Sequence, residues 1–163
     1  MNALARGAAL VAATLLACAD ARAAFDCVVS ATGVAFGTYD PLAATANDSV
    51  GEVKVVCTHL SGGATRINYT AALSPGSSGR YPQRLLRSTD SVLGYNLFVD
   101  LARSRLWGDG TGGTSLASGA FTVGPGAKNG IKELRHAIYG RIPALQDAPP
   151  GAYADTIVVT LTF

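Results

Sequence analysis

Charge is scarce in this chain: 15% of its 163 residues are Asp, Glu, Lys or Arg, and 13 basic residues nearly balance 11 acidic ones, for a formal net charge of +2. So even a balance argues against electrostatic binding of nucleic acid or an anionic membrane, which concentrates Lys and Arg on one face. Histidine is scarcer still, with two residues, His59 and His136, far apart in the sequence. No G-x-S-x-G nucleophile turn accompanies them, so a serine hydrolase has no visible machinery. Together with the cysteines they lack zinc-ligand spacing, and the acidic residues are scattered singly, without a carboxylate pair or a calcium loop. The sequence therefore calls for no metal and no cofactor. No amphipathic helical pattern is convincing, and the longest apolar run, Ala8–Ala17, is far shorter than the ~20 residues that span a bilayer as a helix.

What the chain does contain is 48% hydrophobic residues, 19 glycines and seven prolines, which exclude a disordered or collagen-like chain and favour many turns between short strands. Residues 1–23 place Arg6 before the apolar run and end in Ala21-Arg22-Ala23, the order of a secretory signal peptide. Cleavage after Ala23 leaves a single domain over residues 24–163. A second route stays open, because Leu15-Leu16-Ala17-Cys18 resembles a lipoprotein lipobox in which Cys18 is acylated. Either way Cys18 is removed or lipidated and the folded part keeps two cysteines, Cys27 and Cys57, an even number suited to an oxidising compartment. A bridge between them closes a loop of about thirty residues, worth roughly 3.5 kcal/mol on the chain-entropy model.

Period-two alternation is clearest at the C-terminus, where Ile157, Val159, Leu161 and Phe163 share one face of a strand expected to run about ten residues. The same pattern puts Val53, Val55 and Cys57 on one face, and Ile67, Tyr69, Ala71 and Leu73 on another. Further strands are expected at Val28–Phe36, Leu93–Val99, Gly119–Val123 and Ala137–Ile142, about seven in all, which reads as an all-β immunoglobulin-like sandwich. Gly108–Gly113 matches G-x-G-x-x-G, but no helix follows to hold a pyrophosphate, so the run reads as a turn. Trp107 beside it is expected in the core. His59 reads as a solvated strand-end residue, His136 as part of a polar loop before a strand, and Arg80, Arg84 and Arg87 as a solvated basic loop.

The run Cys27–Pro41 (CVVSATGVAFGTYDP) resembles the opening of the spore coat protein U domain, found in subunits of archaic chaperone-usher pili. Val53–Thr58 (VKVVCT), Tyr95–Phe98 (YNLF), Leu106–Thr111 (LWGDGT), Tyr139–Gln146 (YGRIPALQ) and Pro150–Thr156 (PGAYADT) follow the same family order. The resemblance spans Cys27 to Phe163. It implies a secreted, non-enzymatic structural or adhesive subunit with an incomplete immunoglobulin-like sandwich. Its implied partners are a periplasmic chaperone, an outer-membrane usher and other pilus subunits, which complete the sandwich with a donor strand; the implied destination is the cell surface. The alternative is a stand-alone or lipid-anchored envelope binding module.

An incomplete sandwich exposes unpaired backbone groups that a foreign strand covers by β-augmentation. If the missing strand belongs beside the terminal one, Ile157, Val159, Leu161 and Phe163 form one wall of the groove, and Val34 and Phe36 the opposite wall. Cleavage after Ala23 leaves Ala24, Phe25 and Asp26 ahead of Cys27, a reach of about 10 Å. That lead is too short to serve as a donor strand, so the expectation is a tip or minor subunit that accepts a strand.

Overall fold

Alternation along β2 (Asn47–His59) buries Val53, Val55 and Cys57 completely and leaves the residues between them on the outer face. This arrangement belongs to a computed structural model that describes residues 25–60, 65–123 and 130–163. The expected leader and Cys18 lie outside the described residues. β2 is the hub of a five-stranded antiparallel sheet, pairing on one side with β1 (Phe25–Thr32) and on the other with β7 (Ile131–Ile142). Beyond β7 come β5 (Val92–Phe98) and β4 (Arg84–Arg87), giving the order β1-β2-β7-β5-β4. A second sheet of three strands has β3 (Thr65–Leu73) between β6 (Ala117–Val123) and β8 (Val159–Thr162), in the order β6-β3-β8.

The inner faces of the two sheets share one buried cluster. Val55, Ile138, Tyr95 and Leu97 from the larger sheet meet Tyr69, Ala71, Leu73 and Phe121 from the smaller, with Trp107 fully buried among them. The fold is thus all-β and sandwich-like, as the alternation implies.

Boundaries differ from the sequence expectation for local reasons. The first strand starts earlier, at Phe25, and its pairing stops at Thr32, before Gly33. The chain then crosses over β2 and β7, where Gly51 and Gly140 leave room for it. A Cβ on Gly51 would stand 2.6 Å from the Thr32 carbonyl oxygen, and one on Gly140 would stand 2.6 Å from a Val34 methyl. At the C-terminus only Val159–Thr162 pairs with β3; upstream, the Ser74 hydroxyl accepts from the Val158 N–H, and Ser74 N–H donates to the Val158 carbonyl.

Candidate functional site

β1 and β8 are both edges: β1 pairs with β2 alone, β8 with β3 alone, and among the described residues no backbone hydrogen bond joins one to the other. Between them lies a cavity of about 190 Å³. Val34 and Phe36 from the leading segment form one side, Ile157 and Val159 the other, and Leu97 and Ile138 the floor. A wider cavity of about 750 Å³ adjoins it, shares Val34, Phe36, Leu86 and Asp155, and extends to Tyr39 and Tyr153. The two make one trench with apolar walls and strand edges at one end. Of the six expected wall residues, the structure gathers Val34, Phe36, Ile157 and Val159 around the narrow part. Leu161 packs half-buried against the core, and Phe163 is exposed with its ring 6.1 Å from that of Tyr69.

Hydrogen bonds hold the trench walls in place. The Tyr39 hydroxyl donates to the Pro143 carbonyl at 3.0 Å and accepts from the Gln146 N–H at 2.8 Å. Asp155 accepts from the Tyr95 hydroxyl at 2.7 Å and from the backbone N–H groups of Ser77 and Thr156. Burial, reinforced by that carboxylate, pushes the Tyr95 hydroxyl far above its ordinary pKa and keeps it a donor. Its ring meets Phe36 edge-on at 6.0 Å. Leu86, Leu97, Tyr95 and Asp155 line the trench although the sequence pattern assigned none of them to a groove wall. Gly51 and Gly140, whose spacing from other motifs hinted at nothing, are what admit Val34 and Phe36 to it.

The remaining singled-out residues are structural. Cys27 and Cys57 stand opposite each other in the β1–β2 register and are joined by a disulfide. Trp107 donates its indole N–H to the Ala71 carbonyl at 2.9 Å, tying the loop before β6 to the middle of β3. Arg84 corrects the expectation of a solvated basic loop. It starts strand β4, is fully buried, and donates to the carbonyls of Ser74 and Trp107 and to Asn96 Oδ1. Neutral acceptors satisfy a guanidinium that desolvation alone would disfavour, and burial lowers its pKa. His59 is likewise buried rather than solvated, against the ring of Phe25. His136 lies inside β7, faces the core, and shares a 2.7 Å hydrogen bond with the Tyr69 hydroxyl. Gly108–Gly113 is a turn, closed by Asp109 Oδ1 accepting from the Thr111 N–H and hydroxyl. Among the described residues no three His, Cys, Asp or Glu gather as metal ligands, and no helix is long and apolar enough to cross a membrane.

Comparison with known proteins supplies relatives for this architecture. Residues 12–160 match the Spore Coat Protein U domain. The chain is 33% identical over 135 residues to Protein U of Myxococcus xanthus, covering 78% of this chain and 70% of that protein. Among solved structures it resembles, at a TM-score of 0.54 and 20% identity, the chaperone-tip adhesion subunit pre-assembly complex of archaic chaperone-usher Csu pili from Acinetobacter baumannii. The match covers 85% of this chain but 40% of that one, and at this identity it speaks to the fold.

Proposed function

The chain belongs to the Spore Coat Protein U domain family, and from that premise we propose that it is an exported, non-enzymatic subunit of a chaperone-usher pilus whose trench accepts a strand from another protein. The observation that carries this reading is the pair of unpaired edges, β1 and β8, facing each other across apolar walls. An edge of this kind offers a row of N–H and C=O groups to an extended segment, while the side chains of that segment fill the space between Val34, Phe36, Ile157 and Val159. A periplasmic chaperone supplies the strand first and a neighbouring subunit replaces it, with an outer-membrane usher passing the product to the cell surface. The solved relative is itself a chaperone-subunit complex, which supports this assignment of partners.

Within such a pilus we place the chain at the tip or in a minor position. Phe25 and Asp26 are paired with His59 and Thr58, so after cleavage at Ala23 they are committed to β1 and leave no free extension to donate. The mature N-terminus, read by intact mass, tests this: cleavage after Ala23 supports it, and acylated Cys18 favours a lipid-anchored envelope module.

The strand-acceptor reading is tested by exporting the chain alone and together with a periplasmic pilus chaperone, then adding a synthetic peptide of a related subunit's N-terminal extension. The expected outcome is that the lone chain aggregates or is degraded, while chaperone or peptide yields a soluble species whose melting temperature rises with peptide concentration. A ligand that binds only the folded form adds roughly 2.7 kcal/mol at a hundred times its Kd. A soluble, cooperative monomer indifferent to both additions overturns the reading.

A further inference from the structure

On the other face of the larger sheet lies a second depression, of about 700 Å³, within the range of small-ligand sites. We propose that it binds an acidic saccharide. Its floor is apolar, formed by Leu85, Val92 and Phe98, and the 3₁₀ turn Tyr81–Gln83 with Arg80 forms one wall. The β5–β7 register sets Asn96 opposite Arg141, so the Phe98 ring on the floor lies beside two polar side chains. A pyranose presents an apolar C–H face and a fringe of hydroxyls, which suits an apolar floor carrying the Phe98 ring, with amide and guanidinium groups at its edge.

Charge selects among saccharides. Three arginines, Arg80, Arg84 and Arg141, line the depression, and no Asp or Glu does. Arg141 is paired with Asp48, but Arg84 is buried and bonded only to neutral acceptors, so its charge is not cancelled by an ion pair. The side chains of Arg80 and Gln83 make no hydrogen bond or ion pair among the described residues, which leaves a guanidinium and an amide available on the wall. A carboxylate entering this site meets a free Arg80 fork and the field of Arg84 beneath the floor. Leu85 and Gly94 face the depression, whereas Leu86 and Leu93 on the same strands face the trench, so ligand and incoming strand occupy opposite sides of the sheet, with Tyr95 the one residue that borders both.

The test is calorimetric titration of the disulfide-bonded chain, co-purified with its periplasmic chaperone or complemented by the strand peptide, with trigalacturonate and, in parallel, with neutral maltotriose; the same titration of chaperone or peptide alone serves as the blank. Trigalacturonate is expected to bind with an affinity that falls as salt rises, and maltotriose to bind at least about tenfold more weakly. Arg80→Ala should weaken trigalacturonate by about tenfold and Arg80→Glu should abolish it, with Gln83→Ala a milder loss; both positions are exposed, so folding is preserved. Arg66→Ala, on β3, should bind as the parent does. No binding of trigalacturonate, equal affinity for the neutral sugar, or an Arg80→Glu variant that binds normally overturns the assignment.

Discussion

The side chain of Gln146 is bonded to the backbone of Gly94 as a neighbouring strand would be: Oε1 accepts from the Gly94 N–H and Nε2 donates to the Gly94 carbonyl, both at 2.8 Å. β7 ends at Ile142, and the amide of Gln146 continues its row of bonds along β5. The same glutamine donates its own backbone N–H to the Tyr39 hydroxyl oxygen, so one residue joins β5 to the trench rim.

Gln146→Ala should therefore lower stability by about 1–2 kcal/mol, read as the urea midpoint of the strand-complemented chain, because two backbone groups of Gly94 lose their partner. Gly94→Ala should also destabilise, since its Cβ would stand 2.8 Å from Gln146 Oε1. The double variant should cost less than the sum of the singles, because each removes the same contact. Additive losses would mean that the two residues act separately.

Loss of the bridge between Cys27 and Cys57 should act on the unfolded chain more than on the sheet, which keeps its β1–β2 pairing. Cys27→Ser is expected to lower stability by roughly 3 kcal/mol and to reduce periplasmic yield. Alkylation and mass analysis of the parent should detect no free thiol at either position.

Trp107 and Arg84 form one joint: the Trp107 indole reaches the Ala71 carbonyl, and the Trp107 carbonyl receives Arg84 Nη2 at 2.7 Å. Trp107→Ala should cost on the order of 3–5 kcal/mol by cavity formation. Trp107→Phe should cost about 1–3 kcal/mol, because the Ala71 carbonyl loses its donor while much of the apolar contact remains. Arg84→Lys is not conservative here, since one ammonium cannot reproduce the fork that spans Ser74, Asn96 and Trp107. Thermal melts that leave Arg84→Lys at the parent's midpoint would contradict this account.

Acid should weaken the fold through His136. Burial lowers its pKa below the ordinary 6.5, so the unfolded chain takes up a proton before the folded one does, and stability is lost as pH falls through that range. The hydrogen bond from Arg141, the largest influence on Asp48, lowers that carboxyl below its ordinary 3.8; its contribution disappears only at still lower pH. The urea midpoint should fall between about pH 7 and pH 5, and His136→Gln should flatten that fall while preserving a partner for the Tyr69 hydroxyl.

Much of the sandwich was legible in the sequence because alternation reports burial directly. Val53, Val55 and Cys57, or Tyr69, Ala71 and Leu73, read as one-sided strands and are buried as such. β4 was not legible: four residues reading Arg84-Leu85-Leu86-Arg87 look like a charged loop, and only the carbonyls of Ser74 and Trp107, distant in sequence, make Arg84 a core residue. The first half of β7 was hidden by Lys132, Glu133 and Arg135, which sit on a strand that is wet at its start. The trench was half legible. Val34 and Ile157 could be placed on its walls, but the crossing at Gly51 and Gly140 depends on three-dimensional proximity that no local pattern encodes.

The disulfide also gives the two edges unequal mechanical strength. A strand seated along β1 would be hauling on an edge riveted covalently to β2, and β2 in turn is paired over twelve positions with β7. Tension arriving there spreads into the middle of the larger sheet. β8 is held by four paired residues and no covalent tie, so a pull on that wall loads a short zipper. Under force, the trench should open from its C-terminal side while the β1 side holds.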